Sequence, residues 1–399
     1  MSLGSIADLN DALLASTAAT AHASTRARPS LPTRARPASI TTSELGIAPS
    51  RDPVADQERL QRFIDDIATD GIIGVIDAGR WLLHRKLQLH DGLRLCGRGM
   101  NRTIIEARSE DWHHDDYTLM ELRANNHLNE NGIFLSDFHL IGADKGATRN
   151  GAALRLNGIN DFSLERIKVV DGSDAGIRIT GYGVGSFTND ITSDFWNSTK
   201  RGRIRGCIAV RGSLGIELEG GVEGVLVEGN HVYDSALHGI RLPSAYDCIL
   251  LANHITGARN GIWIDRHKGI HVLHNTATQV ERGCVYGGFN RHRDGEISKG
   301  LWIIGNRFQT SRSTITDAYH GSSNKFTHIV KIKDNLLEGG NIRLLWSRRV
   351  DIQGNDGDGG NAIITSHQVS GRVGNNTMRL LNRAPRVTDL GSNLNLSDT

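Results

Sequence analysis

The fold is decided by the stretch 225-VLVEGNHVYDSALHGIRLPSAYDCILLANHITGARNGIWIDRHKGIHVLHN-275. Within it, an apolar residue, any residue and a second apolar residue precede Asn230, Asn253 and Asn275, which are 23 and 22 residues apart. A second marker, Gly followed by Ile, has the same period at Gly239-Ile240 and Gly261-Ile262, which are 22 residues apart. Two markers that share one period indicate a structural repeat, and this period is typical of one coil of a solenoid.

Both markers continue beyond this stretch. The asparagine returns at intervals of 31, 29, 20 and 21 residues, as Asn306, Asn335, Asn355 and, in a weaker copy, Asn376. The glycine marker comprises Gly176-Ile177, Gly215-Ile216, Gly239-Ile240, Gly261-Ile262 and Gly283-Cys284. Stacked coils bury one another's apolar faces, and stacked asparagine amides hydrogen-bond along a turn. We predict an all-β chain, a right-handed single-stranded parallel β-helix of about 10–12 coils, with the asparagines as a ladder and not as ligands.

Composition excludes several classes of protein. Glycine accounts for 46 of 399 residues and proline for only 7, which favours frequent tight turns over flexible linkers. The 46 basic and 44 acidic residues nearly cancel, so we expect no nucleic-acid partner. No apolar run approaches a membrane span, so we expect no membrane partner. The four cysteines, Cys96, Cys207, Cys248 and Cys284, contain no CxxC pair, which disfavours zinc and disulfides.

The chain divides into four segments. Residues 1–50 are rich in Ala, Ser, Thr and Arg, and we expect a disordered or anchoring leader. Residues 51–71 are predicted to form a capping helix, because Asp52-Pro53 is a helix start and Gly71 a helix end. Residues 72–380 form the predicted β-helix, and 381–399 a C-terminal tail or cap.

The first coils resemble those of the pectate-lyase-like superfamily. A predicted capping helix is followed by Gly79-Arg80-Trp81-Leu82-Leu83 and by a glycine-rich corner at 92–99. The resemblance extends over about 72–380 and implies the parallel β-helix fold. It carries no catalytic residues over. The Asp-Pro-His-Asp motif of the alginate epimerases is absent, as are the Asn-Thr-Asp and Asp-Asp motifs of polygalacturonases, and His238 stands where the similar fructotransferases have an acid.

Alternation along the Gly-Ile strand predicts which side chains point outward. Ile240, Leu242, Ile262, Ile264 and Cys284 should point inward. The outward file is then Arg178, Glu217, Arg241, Trp263 and Val285, with Glu219, Pro243, Asp265 and Gly287 two residues further along. An indole stacks on sugar rings, arginine binds carboxylates or hydroxyls, and paired carboxylates act as general acid and base. This assortment suits a carbohydrate, whereas the alternative is a solvated polar sheet face.

Glu219 and Asp265 are the preferred catalytic pair. At about 4.8 Å per coil they should lie roughly 9–10 Å apart, near the upper end of the roughly 6.5–9.5 Å expected of inverting glycosidases. Further catalytic candidates are Glu217, Asp234 and His238. Further binding candidates are Arg178, Arg241, Trp263, Arg266 and His267, together with Arg293 and Asp294 in an insertion at about 287–300. The acidic and histidine-rich segment 111–116 lacks ligand spacing, so we expect no metal and no cofactor.

We therefore expect a carbohydrate-active β-helix that cleaves a polysaccharide or oligosaccharide as a hydrolase or lyase. The alternative is a non-catalytic glycan-binding or structural spike similar to phage tailspikes, for which a homotrimer is expected. The fold favours an extracellular or virion-associated location, although no signal peptide is visible in the sequence.

Overall fold

The computed structural model describes residues 38–108, 112, 117–123, 129–143, 151–181, 199–288, 299–310, 312–318, 327–344, 347–357, 362–365, 369–382 and 386–389. Their strands wind into coils, and each strand pairs in parallel with its counterpart in the next coil. The predicted parallel β-helix is therefore confirmed. Its three faces are numbered here in the order in which the chain first visits them.

Face 1 begins the coil. It comprises β1 (Ser39–Thr41), β2 (Ile73–Ile76), β5 (Arg94–Gly97), β8 (Ile133–Ser136), β11 (Asn160–Glu165), β14 (Lys200–Arg205), β16 (Val222–Glu228), β18 (Ile249–Leu251), the end of β20 (Asn260–Leu273), β23 (Lys299–Ile304), β26 (Thr327–Lys333), β29 (Ser347–Gln353), β32 (Ser370–Gly374) and β34 (Arg386–Asp389). The strand β1 lies inside the segment 1–50 assigned to the leader, and it pairs with β2. The β-helix therefore starts before the expected boundary at residue 72.

Faces 2 and 3 complete the coil. Face 2 comprises β3 (Gly79–Leu83), β6 (Thr103–Ala107), β9 (His139–Ile141), β12 (Lys168–Val170), the starts of β15 (Ile208–Glu219) and β17 (His231–Tyr246), β19 (His254–Thr256), β21 (Thr276–Val280), β24 (Arg307–Thr310), β27 (Leu336–Glu338) and β30 (Asp356–Gly357). Face 3 comprises β4 (Leu87–Gln88), β7 (Met120–Leu122), β10 (Ala152–Asn157), β13 (Ala175–Thr180), later parts of β15 and β17, the start of β20, β22 (Gly283–Gly288), β25 (Ser313–Ala318), β28 (Ile342–Leu344), β31 (Ala362–Thr365) and β33 (Arg379–Asn382).

The asparagine ladder occupies the turn from face 1 to face 2. The side-chain Nδ2 of Asn230 donates to Oδ1 of Asn253 at 2.9 Å, and Asn253 donates to Asn275 in the same way at 2.9 Å. The series continues through Asn306, Asn335, Asn355 and Asn376. Each of these amides is at most 1% exposed. The predicted ladder role is confirmed, and it explains why the amide recurs: each side chain replaces backbone partners that the turn lacks.

The glycine marker has a steric cause. Gly215 and Gly239 occupy inward positions where face 3 meets face 2, and a Cβ on Gly239 would lie 2.4 Å from Cγ2 of Ile255. A Cβ on Gly215 would lie equally close to Val232. Glycine leaves room for the apolar side chains of face 2 at this corner, which explains why it recurs in the coils of Gly215, Gly239 and Gly261.

A helix covers the first coils. The helix α1 (Pro53–Asp70) starts at Asp52, whose side chain accepts from the backbone of Val54 and Ala55, and it ends at Gly71 in a left-handed conformation. Its apolar side buries Leu60, Phe63, Ile64 and Ile67. On the same helix, Gln61 accepts from the backbone N–H of Gln88 at 2.8 Å and donates to its carbonyl at 2.9 Å. The side chain of Gln61 thus forms hydrogen bonds with the edge of β4 that another strand would otherwise form.

Candidate functional site

The candidate site is an outward row of side chains on face 3. Strand pairing places Arg155, Arg178, Glu217, Arg241, Trp263, Tyr286, Thr316 and Arg343 at one position in successive coils. A second row lies two residues further along each strand, where Thr180 pairs with Glu219 and Pro243 with Asp265. The structure therefore brings the predicted file together in space, although its members come from distant parts of the sequence.

Glu217 is the centre of an ion-pair chain. It is fully buried, and its carboxylate accepts from the guanidinium groups of Arg178 and Arg241 in the coils on either side. Arg178 is 7% exposed and also donates to Asp174. Burial acts to lower the pKa of Arg178, but the charges of Glu217 and Asp174 outweigh it and raise the pKa overall. Both arginines are therefore held in place by carboxylates of the chain itself.

Trp263 lies against the preceding coil. The ring of His238 stacks on it with centroids 5.4 Å apart and planes 20° apart, and the guanidinium of Arg241 lies 5.0 Å from the ring centroid. Asn260 and Nδ1 of His238 share a hydrogen bond of 3.1 Å. Burial, Arg241 and Arg259 lower the pKa of His238 to about 3. The imidazole is therefore neutral near pH 7, and one side of the indole is already covered.

Glu219 differs electrostatically from its neighbour Glu217. Among the described residues its carboxylate makes no hydrogen bond or ion pair. Its pKa is raised, first by burial and then by the negative charge of Glu217, while Arg178 and Arg241 act in the opposite direction. Such a carboxyl retains its proton to a higher pH than an exposed glutamate does. Asp265 lies two coils further on and is 2% exposed, at an estimated separation of about 10 Å.

The structure corrects the fifth member of the predicted file, Val285. Val285 pairs with Ile262 and is buried in the core, so Tyr286 and not Val285 follows Trp263 in the outward row. Gly287 pairs with the inward Ile264 and not with Asp265. Cys284 is buried as expected, but it occupies the slot that Gly261 fills one coil earlier. A shift of one residue along a strand exchanges inward and outward side chains.

Other candidates are placed elsewhere. His267 pairs with Ala245 and faces inward, where it lines an interior cavity of about 20 Å³ together with Ile264 and Val285. Its assignment as an outward binding residue was therefore wrong. Asp234 is exposed at the turn from face 2, and among the described residues the ring partners of His238 are Asn260 and Trp263. These two catalytic candidates are therefore not paired with each other among the described residues.

Some predictions fall outside the described residues. These are Arg293 and Asp294, the side chain of Arg266, and the segment 111–116 apart from Trp112, which is buried. Within the described part of the chain, no group of three His, Cys, Asp or Glu residues could hold a metal ion. No helix there is long and apolar enough to span a membrane.

Two site residues were missed in the sequence. Asp174 precedes the Gly-Ile marker in a coil corner and could have been found as the residue four positions before Arg178. Tyr286 could have been found only by aligning Val285 with Ile262. The Gly283-Cys284 dipeptide instead suggested that Cys284 is aligned with Ile262.

Comparison with known proteins agrees with the fold. Residues 152–308 match the model of the family described as a right-handed beta helix region. No curated protein matches the sequence significantly. Among solved structures, an exopolygalacturonase from Thermotoga maritima is 12% identical, with 93% of each chain covered and a TM-score of 0.56.

Two further structures show the same likeness. A surface adhesin of Streptococcus pneumoniae is 11% identical, covers 90% of this chain and 93% of its own, and has a TM-score of 0.57. The A-module of a mannuronan C-5 epimerase from Azotobacter vinelandii is 15% identical, covers 90% of this chain and 99% of its own, and has a TM-score of 0.53. At such low identity these likenesses concern the fold. The chain therefore has the fold of a right-handed parallel β-helix.

Proposed function

We propose that the chain cleaves a glycosidic bond of a polysaccharide on face 3, with Glu219 as general acid and Asp265 as general base. The observation that carries the proposal is the contrast between Glu217 and Glu219. Glu217 is ionically paired on both sides, whereas Glu219 has a raised pKa and no partner among the described residues. A carboxyl that retains its proton beside an ionised neighbour is suited to the role of general acid in glycoside hydrolysis.

The estimated separation supports hydrolysis with inversion. At about 10 Å, Glu219 and Asp265 leave room for a sugar and a water molecule, close to the roughly 6.5–9.5 Å of inverting enzymes. A retaining mechanism would need carboxyls only about 5–5.5 Å apart. The protonated Glu219 would donate to the leaving oxygen, and Asp265 would accept a proton from the attacking water. The side chains of Trp263 and Tyr286 would border the sugar that lies between Glu219 and Asp265.

A second candidate is a glycan-binding protein without catalysis, such as a spike or adhesin. The chain of ion pairs from Asp174 through Arg178 and Glu217 to Arg241 favours it, because the chain stabilises face 3 and needs no substrate. A homotrimer and an extracellular or virion-associated location belong to this candidate. The cleavage proposal shares the extracellular or virion-associated location with this candidate, but it does not include a homotrimer.

The test is a panel of neutral and acidic polysaccharides. New reducing ends without the ultraviolet absorbance of an unsaturated sugar are expected from the parent, and Asp265→Asn should lose activity by about 10²–10⁴-fold. Asp66→Asn, at an exposed position on α1, is the matched control and should retain it. Absorbing products would indicate elimination. Binding without any product, especially by a trimer, would favour the second candidate and contradict cleavage.

A further inference from the structure

We infer that face 3 binds an uncharged glycan and rejects polyuronates and other anionic polysaccharides. The inference rests on the proposed carbohydrate site, but it concerns recognition and not cleavage. A site for polyuronates needs cationic groups that are available to the carboxylates of the sugar, since bidentate arginine contacts supply both affinity and orientation. The availability of the cations on face 3 therefore decides which class of glycan fits.

The two arginines that flank Glu217 are already occupied. Arg178 donates to both Asp174 and Glu217, and its side chain is only 7% exposed. Arg241 donates to the other oxygen of Glu217, while its guanidinium plane lies over Trp263. A sugar carboxylate that drew either guanidinium away from Glu217 would leave this buried carboxylate without its full set of partners, which opposes such binding.

The same pairing extends along the row. Lys86 and Arg155 both contact the carboxylate of Glu121, at 2.5 and 3.3 Å. Arg343 is exposed on the row, but it lies three coils beyond Trp263, at an estimated distance of about 14 Å. Through the coils that carry Glu219 and Trp263, the described basic residues of the row therefore have carboxylate partners within the chain.

The described side chains at the centre carry no excess of positive charge. The described carboxylates are those of Asp174, Glu217, Glu219 and Asp265, and the described cations are Arg178, Arg241 and Arg259. The imidazole of His238 adds no positive charge near pH 7. A uronate placed between Glu219 and Asp265 would lie beside the carboxylate of Asp265 and, above the raised pKa of Glu219, beside a second negative charge, and like charges oppose binding. Hydroxyl groups of a neutral sugar can instead donate to these carboxyls.

The test compares binding of matched neutral and uronate oligosaccharides, such as galacto-oligosaccharides with oligogalacturonates and gluco- with glucurono-oligosaccharides. The full-length parent should bind a neutral member about tenfold or more tightly than its uronate counterpart. Its affinity for the neutral member should change little between low and high ionic strength, because no ion pair forms on binding. Calorimetry or affinity electrophoresis measures both quantities.

A variant makes the comparison sharper. Glu217→Gln removes the carboxylate between Arg178 and Arg241, so uronate affinity should rise about tenfold at low salt and fall again at high salt. Glu228→Gln is the matched control, because Glu228 likewise bridges two arginines, Arg203 and Arg205, but on face 1. It should leave both affinities unchanged. Circular dichroism establishes that each variant is folded. The comparison of neutral with uronate oligosaccharides in the parent tests the inference without the variants.

The outcomes separate the inference from the proposed reaction. Neutral oligosaccharides that bind but are never cleaved would reject the cleavage proposal and uphold the inference. Tighter, salt-dependent binding of a uronate by the parent would overturn the inference even if cleavage occurs. Failure of the parent to bind any neutral or uronate member of the panel would overturn it as well.

Discussion

Replacing Glu219 by glutamine is expected to lower kcat by about 10²–10⁴-fold, while KM changes far less. Glutamine keeps the size of the side chain but has no acidic proton to transfer to a leaving oxygen. In the parent, activity should fall as the pH rises through the raised pKa of Glu219, because the acid must be protonated. That alkaline limb of the pH–rate profile should disappear from the residual activity of the variant.

Stability distinguishes this loss from unfolding. A carboxyl with a raised pKa in the folded state contributes stability below its unfolded pKa of about 4.3, and this contribution is lost as the pH rises through the raised value. Near neutral pH, Glu219→Gln should therefore be as stable as the parent or more stable. The exposed Glu130→Gln provides a matched control that should match the parent in rate and stability. Unchanged kcat in Glu219→Gln, or a persisting alkaline limb, would refute the assigned role.

Replacing Asn253 by alanine is expected to lower the free energy of unfolding by about 3–5 kcal/mol. The side chain donates to the carbonyl of Val227 at 2.8 Å and to Asn275 at 2.9 Å. It also accepts from the backbone and side-chain amides of Asn230, at 3.1 and 2.9 Å. The variant leaves these buried groups without partners, and each such group costs about 1–3 kcal/mol.

Urea denaturation measures this effect. Asn101→Ala is the matched control, because Asn101 is exposed in a turn and should tolerate the change. A loss in Asn253→Ala of less than about 1 kcal/mol relative to Asn101→Ala would mean that the ladder follows the coil geometry without stabilising it.

The fold could be predicted from the sequence because its markers have local physical causes. Asn230 and Asn253 recur since the side-chain amide pairs buried backbone groups at the turn of each coil that carries it. Gly239 recurs since the side chain of Ile255 fills the space that a Cβ would need. The start of the β-helix at Ser39 was missed because a short strand that pairs only with β2 has no periodic pattern of its own.

The candidate site was harder to predict than the fold. Side-chain alternation placed Glu217 on an outward position correctly, but its burial depends on Arg178 and Arg241, which lie 39 and 24 residues away. Alternation failed at His267, which faces inward three residues after the inward Ile264, because the strand turns the corner between face 3 and face 1. Corners within a continuous strand leave no clear signal in a single sequence.

The role of Glu219 and Asp265 as an acid and a base on opposite sides of a sugar is the central claim. The most direct test is proton magnetic resonance of the first product released from a polysaccharide that the parent cleaves, which shows the anomeric configuration of the new reducing end before it equilibrates. The estimated separation of about 10 Å predicts inversion of the configuration found in the substrate. Retention of configuration, or an unsaturated product, would contradict the account.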